Sequence, residues 1–195
     1  VLDGAVVIFD GRKGVEPQSE TVWRQANKYR VPRICFLNKI NLIGGDFDKS
    51  FETIQKRLSK NAIAINIPLG RESELYGHVD LIKNKAFSYD GPDATELQEI
   101  PIPEEVKEEA KEKRALLTET LVEMDDKLME KFFEGEEITV EEMQQALRKG
   151  TLAGKLFPVL GGDSRTVMAK VLLDYIALCL PSPLDVPPIQ GDHPK

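Results

Sequence analysis

The chain has 195 residues and a formal net charge of −7; 41% of its residues are hydrophobic and 30% are charged. This size allows one good core or one domain with an insertion, and the composition excludes a chain that is disordered throughout. The negative charge argues against a segment that clamps nucleic acid directly, and no apolar run approaches the roughly 20 residues of a membrane span. The two cysteines are far apart, which favours reduced core thiols over a disulfide or a metal site.

The first unit, residues 1–67, alternates predicted strands and helices. Its apolar runs end in turn residues, as expected for strands that are buried on both faces of a parallel sheet. A helix is predicted from Pro17, because Val22, Ala26 and Tyr29 recur at helical spacing. The remaining predicted elements are the strands Ala5–Phe9, Val31–Leu37 and Ala62–Ile67 and the helix Phe47–Leu58. This βαβαβ order predicts an α/β fold with a parallel sheet.

In the second unit, residues 68–155, strands and helices no longer alternate, and this unit is predicted to be an inserted α+β subdomain. A hairpin-like section, His78–Tyr89, is followed by a long amphipathic helix from Val106 to Phe132. Thr139 and Glu142 form the capping box of another helix. Residues 156–180 then return to the parallel sheet, with a strand at Leu156–Leu160 and a helix at Val167–Leu180. A proline-rich linker, residues 181–195, follows, and its prolines are expected to hold it in an extended conformation.

A short polar motif, Asn38-Lys39-Ile40-Asn41, closes the second strand, at the edge where parallel sheets bind their ligands. N-K-x-D at this place is the base-reading motif of GTPases: the Asn amide ties neighbouring loops together, the Lys stem lies along the base, and the Asp carboxylate accepts two hydrogen bonds from guanine. Asn41 replaces that Asp and can accept only one of them. Alone, the motif is weak evidence, because short motifs often match by chance.

Longer phrases lie on both sides of the motif: Val1–Val7, Gly14–Ala26, Gly45–Phe47, Ile100–Pro103, Arg148–Thr151 and Leu180–Ile189. Together these phrases resemble elongation factor G, a translational GTPase. The resemblance implies a partial P-loop-NTPase-type parallel sheet: the second half of a GTP-binding domain, with its inserted subdomain, a linker toward a missing β-barrel domain, and a cytoplasmic protein that works on the ribosome in tRNA–mRNA translocation. The sequence has no G-x-x-x-x-G-K-[ST] phosphate loop; Gly150–Leu156 imitates it with the wrong spacing.

We therefore expect a fragment whose phosphate loop and switches lie upstream. GTP or GDP with Mg²⁺ would bind the full-length parent, and neither nucleotide nor metal is expected on this chain alone. No residue here is expected to be catalytic, and His78 and His193 are expected in turn or surface roles. The resemblance places a second base-binding loop at Gly162, Asp163 and Ser164, with a changed sequence. Asn41 predicts weakened GTP affinity and acceptance of XTP, unless Asp163 supplies the missing carboxylate.

The predicted long helix has a strongly acidic free face. Such a face is usually only solvated, but in elongation factor G the inserted subdomain receives the carboxyl-terminal domain of the ribosomal stalk protein. Complementary charge would guide a small lysine-bearing partner to this helix. By the resemblance, the expected contact zone is Glu105, Glu108, Glu109 and Glu112.

Two functions from different classes stay open. The parent is either a translocation GTPase or a ribosome-binding paralogue of elongation factor G with weak or no GTP turnover. An intact phosphate loop and a D-x-P-G-H second switch upstream would favour the enzyme. An unrelated α/β domain is the third reading, and the length of the match argues against it.

Overall fold

The computed structural model describes residues 2–186. The elements, in chain order, are β1 (Ala5–Asp10), α1 (Pro17–Lys28), β2 (Arg33–Asn38), α2 (Phe47–Arg57), β3 (Ala62–Ala64), β4 (Asn66–Leu69), β5 (Gly77–Asp80), β6 (Lys85–Ser88), β7 (Gln98–Ile100), α3 (Glu104–Val122), α4 (Asp126–Phe133), α5 (Val140–Leu152), β8 (Phe157–Gly161) and α6 (Met168–Cys179). Two parts of the chain lie outside the described residues: Val1, and residues 187–195, which include His193 and most of the predicted linker. Predictions about these residues stay predictions.

The first sheet is parallel throughout and has the strand order β1-β2-β8-β3. Asp10 of β1 is paired with Asn38 of β2, and Leu37 of β2 is paired with Gly161 of β8. β8 follows the inserted segment in sequence, yet it lies between β2 and β3. The carboxyl ends of β1, β2 and β8 therefore meet at one edge, although they come from distant parts of the chain. The predicted α/β class with a parallel sheet is confirmed.

The second sheet is antiparallel, with the order β4-β5-β6-β7, and it meets the first sheet at Ile65. The Ile65 N–H donates to the Val159 carbonyl at 3.0 Å, and the Ile65 carbonyl accepts from Leu81 N–H at 3.0 Å. One residue therefore takes part in the hydrogen bonding of both sheets. The single strand predicted at Ala62–Ile67 is in fact two strands, because the chain changes sheets at this residue.

The larger hydrophobic cluster is shared by the parallel sheet and the inserted segment. It contains Phe36 of β2, Val79 of β5, Leu117 of α3, Leu147 of α5 and Tyr175 of α6. Burial of such side chains is the main favourable term in folding. Because both parts contribute to one core, the inserted segment is stabilised by the parallel sheet as well as by its own contacts.

Several local predictions need correction. The long helix predicted from Val106 to Phe132 is interrupted: α3 ends at Val122, and Asp125 caps α4 by accepting from Lys127 N–H at 3.1 Å. An acidic N-cap of this kind starts a new helix.

His78 is not at the surface: it is buried in β5, with its ring centroid 5.5 Å from that of Phe87. The capping box predicted at Thr139 and Glu142 is present at the start of α5.

The helix predicted from Pro17 is present as α1, but the residues that recur at helical spacing are not its buried ones. Val22 and Tyr29 are 56% and 70% exposed, whereas Trp23 is buried. Trp23 lies under the guanidinium of buried Arg33, whose central carbon is 3.9 Å from the indole ring centroid and 4.6 Å from that of Phe157. Trp23, and not Val22, therefore faces the sheet, and this cation–π stacking holds the indole ring there.

Candidate functional site

Two loops come together at the carboxyl edge of the parallel sheet, one after β2 and one after β8. The Asn38 side-chain oxygen accepts from the backbone N–H of Lys39 at 2.8 Å and from that of Ser164 at 3.0 Å. Gly162 N–H donates to the Leu37 carbonyl at 3.1 Å. The Asn38 side chain thus joins the loop after β2 to the loop after β8, in which its partner Ser164 is 126 residues away in the sequence.

Lys39 has a left-handed backbone, with φ of 63°. Its ammonium lies 3.2 Å from Asp10 Oδ2, at the end of the neighbouring strand. Asp10 also accepts from the Arg12 guanidinium at 2.8 and 3.0 Å, and these charged partners, Arg12 above all, hold the pKa of the Asp10 carboxyl well below its usual range. The negative charge of Asp10 holds the Lys39 ammonium at the end of the neighbouring strand.

Asn41 and Asp163 face each other across the two loops. The Asn41 amide nitrogen donates to Asp163 Oδ2 at 2.7 Å, while the Asn41 amide oxygen is buried and has no hydrogen-bond partner among the described residues. Asp163 is 4% exposed, and its other oxygen accepts from Arg165 N–H at 3.0 Å. The structure therefore brings together all six predicted base-binding residues, Asn38, Lys39, Asn41, Gly162, Asp163 and Ser164.

Two residues that position these loops were missed by sequence reasoning. The buried amide of Asn66 accepts from Gly161 N–H and donates to the Gly161 carbonyl, both at 2.9 Å. Gly161 itself has no room for a side chain, because a Cβ there would lie 2.3 Å from the Phe47 ring. No local pattern points to this role, since Asn66 appears as one polar residue in a strand and its partner is 95 positions away.

The acidic residues of α3 border a groove. Glu105, Glu108 and Glu112 are exposed, whereas Glu109 lies 2.6 Å from the Lys113 ammonium. The groove has a volume of about 870 Å³ and lies between α3 and the segments 44–49 and 67–75. Its walls carry further acidic side chains, at Asp46, Asp48, Glu72 and Glu74, against the basic side chains of Lys49 and Arg71. The acidic face therefore continues into a concave surface.

Other candidate groups do not form sites. In the imitation of a phosphate loop, Gly150 and Thr151 belong to α5 and are buried, so their N–H groups are not free to hold a phosphate. Cys35 and Cys179 are both buried, and burial raises the pKa of each thiol to about 12. Among residues 2–186 no cluster of three or more His, Cys, Asp or Glu side chains is arranged to hold a metal, and no helix is both long and apolar enough to cross a bilayer.

A parallel sheet with two polar loops at its carboxyl edge is an arrangement typical of nucleotide-binding domains. Residues 1–182 match the family described as Elongation factor Tu GTP binding domain, and the chain belongs to that family. It is also similar to the crystal structure of the protein ttk003000868 from Thermus thermophilus, with a TM-score of 0.81 and 30% sequence identity. That match covers 94% of this chain and 27% of the Thermus chain, so the chain spans about a quarter of the length of that protein.

Proposed function

We propose that this chain is the base-recognising half of the GTP-binding domain of a ribosome-dependent translational GTPase of the elongation factor G type. The observation that carries the proposal is the Asn38 amide, which holds the Lys39 and Ser164 backbones together at the ligand-binding edge of the sheet. Guanine would lie between the two loops, with the Lys39 stem along its face. The backbone N–H of Asp163 is the candidate donor to its carbonyl, because the Ser164 N–H already donates to the Asn38 side chain.

The phosphates of GTP and the Mg²⁺ ion would be held by residues outside this chain, because its sequence contains no phosphate-loop motif. Phosphate and magnesium contacts supply much of the affinity in such sites. We therefore expect that the 195-residue chain alone neither binds GTP tightly nor hydrolyses it, whereas the complete protein does both in the cytoplasm, where ribosomes work.

We also propose that the acidic face of α3 binds the carboxyl-terminal domain of the ribosomal stalk protein. Glu105, Glu108 and Glu112 are exposed, and Glu105 and Glu109 line the adjoining groove. A small lysine-bearing domain would meet complementary charge on a concave surface, which raises the encounter rate and fixes orientation.

The alternative is a ribosome-binding paralogue with weak or no GTP turnover. One observation favours it: Asn41 stands where GTPases of this class have an Asp. The rest of the base-binding edge, from Asn38 to Ser164, is assembled in one place, which favours a protein that binds guanine nucleotide in either case.

Calorimetry on the complete protein tests nucleotide recognition directly. We expect GDP to bind with a dissociation constant in the micromolar range or tighter and ADP to bind at least about a hundredfold more weakly, because adenine cannot offer the same donors. Asn38→Ala should weaken GDP binding, since it separates the two loops. Equal binding of GDP and ADP, or no effect of Asn38→Ala, would contradict the proposal. The same titration with the 195-residue chain should give no tight binding.

A further inference from the structure

The orientation of the Asn41 amide is fixed by its neighbour. An ionised carboxylate can only accept hydrogen bonds, so the Asn41 nitrogen, 2.7 Å from Asp163 Oδ2, must be the donor. The Asn41 oxygen is thereby turned away from Asp163. It is buried and has no partner among residues 2–186. A buried acceptor that stays unpaired costs about 1–3 kcal/mol, so a ligand donor that reached this oxygen would remove that cost.

Asp163 is held from its own loop as well. Its Oδ1 accepts from Arg165 N–H at 3.0 Å, with Arg165 Nε at 3.5 Å. Its Oδ2 receives only the Asn41 hydrogen bond among the described residues. A carboxylate oxygen can accept two hydrogen bonds, so Oδ2 keeps one acceptor position. The two available acceptors, Asn41 Oδ1 and Asp163 Oδ2, therefore flank the same amide nitrogen.

We propose that Asn41 and Asp163 together read the base and select guanine over xanthine, an inference that rests on the proposed binding of a purine between these loops. The pairing edge of guanine offers two adjacent donors, the ring N–H and the exocyclic amino group. Asn41 Oδ1 accepts from one and Asp163 Oδ2 accepts from the other. The pair thus supplies the two acceptors and the negative charge that one Asp supplies in N-K-x-D.

Xanthine has a carbonyl where guanine has the amino group, so it would set an oxygen against the Asp163 carboxylate. The Asn41 nitrogen has two N–H groups, and Asp163 Oδ2 takes one of them. Guanine is selected when the Asn41 oxygen and Asp163 Oδ2 face the base together and the second N–H is turned away from it. If the amide turned over, the Asn41 oxygen would meet Asp163 Oδ2, two acceptors with no proton between them. Asp163 therefore determines specificity in two ways. It accepts a hydrogen bond from the base, and it fixes the orientation of the Asn41 amide.

The test is competition between GDP and XDP in the complete protein. The wild type should prefer GDP by about tenfold or more, the factor expected from one unmet buried hydrogen bond. In Asp163→Asn the side chain keeps its size and its oxygen can still accept from Arg165, but its amide nitrogen faces Asn41. Asn41 should then turn over, and the GDP-to-XDP preference should fall by about tenfold or more.

The exchanged pair, Asn41→Asp with Asp163→Asn, should restore the preference for GDP, because the carboxylate now at position 41 accepts from the base and from the new amide at position 163. Asp90→Asn is the matched control: it removes an exposed carboxylate elsewhere and should leave the ratio unchanged. An unchanged ratio in Asp163→Asn, with GDP still preferred, would overturn the inference while leaving base recognition intact. Wild-type protein that binds GDP no better than ADP would instead refute the proposed function.

Discussion

The Tyr175 hydroxyl donates a 2.9 Å hydrogen bond to Asp80 Oδ1, and so links α6 to the antiparallel sheet across 95 positions of the sequence. Asp80 is buried, and the same oxygen accepts from the backbone N–H groups of Ile82 and Lys83 at 3.0 and 2.9 Å. Burial, together with the neighbouring Asp80 charge, raises the pKa of Tyr175 well above its usual range. The inserted segment and the returning helix are thus joined by a buried polar contact as well as by their shared apolar core.

Replacement of Tyr175 by Phe should therefore destabilise the protein by about 1.5–3 kcal/mol, the usual range for a hydrogen bond to a charged group. Tyr29→Phe is the control, because that ring is largely exposed. Urea denaturation of both variants gives the comparison. Equal stabilities of the two variants would show that the Asp80 contact contributes nothing.

His78 should make stability depend on pH. Burial lowers its pKa from 6.5 to about 4, with Lys83 adding to the effect and Asp80 opposing it. The unfolded chain therefore binds a proton more readily than the folded one. This contribution is fully present above pH 6.5 and is lost as the pH falls toward 4, by about 3 kcal/mol at most.

His78→Phe, which keeps an aromatic ring against Phe87, should flatten the dependence of the unfolding free energy between pH 6.5 and pH 4. The Asp10 carboxyl, whose pKa is depressed, loses its contribution only at still lower pH and so does not interfere. An identical pH slope in wild type and His78→Phe would show that His78 is not the titrating group.

Asn66 should matter for both stability and ligand binding. Asn66→Ala leaves the N–H and carbonyl of Gly161 without their partners, and each unmet buried group costs about 1–3 kcal/mol. We expect a loss of about 2–4 kcal/mol in urea denaturation and weaker GDP binding by the complete protein, because Gly161 leads directly into the second loop. Gln25→Ala, which removes an exposed amide, should change neither quantity.

Charge reversal tests the acidic face. Changing Glu108, Glu109 and Glu112 together to Lys should abolish binding of the stalk protein's carboxyl-terminal domain, and the wild-type affinity should fall as salt rises, because exposed charges are screened beyond about 10 Å at 0.1 M salt. Glu130, Glu134 and Glu141 are exposed on other helices or loops, so their reversal is the control with the same change of charge. The proposal would be contradicted if NMR titration placed the chemical-shift changes outside the acidic face of α3 and the variant changed at Glu108, Glu109 and Glu112 bound normally. The acidic face would then be only solvated.

The sequence predicts those parts of the fold that depend on neighbouring residues. The strands at Ala5 and Ile34 follow from continuous apolar runs, and the start of α5 follows from the Thr139 and Glu142 capping box. Only β2 is buried along its length as expected; β1 is an edge strand in which Phe9 is buried and Ile8 is exposed. The split of the strand at Ile65 does not follow, because it depends on hydrogen bonds to Val159 and Leu81.

The same distinction applies to the site. The motif from Asn38 to Asn41 can be found because its residues are consecutive. The contact between Asn41 and Asp163 spans 122 positions, and that between Asn66 and Gly161 spans 95. In α1, Trp23 is buried and stacks against Arg33 of β2, whereas Val22 and Tyr29 are exposed. Helical spacing alone carries no information about such a partner.

Single-turnover nucleotide hydrolysis by the complete protein, with and without ribosomes, tests the central claim most directly. If the chain recognises guanine within a ribosome-dependent GTPase, GTP should be hydrolysed faster when ribosomes are present, ATP should not be hydrolysed, and Asn38→Ala should slow the reaction at limiting GTP. Hydrolysis that is indifferent to ribosomes or equally fast with ATP would contradict the account. Tight GDP binding with no ribosome-stimulated turnover would contradict the enzyme and leave the binding paralogue.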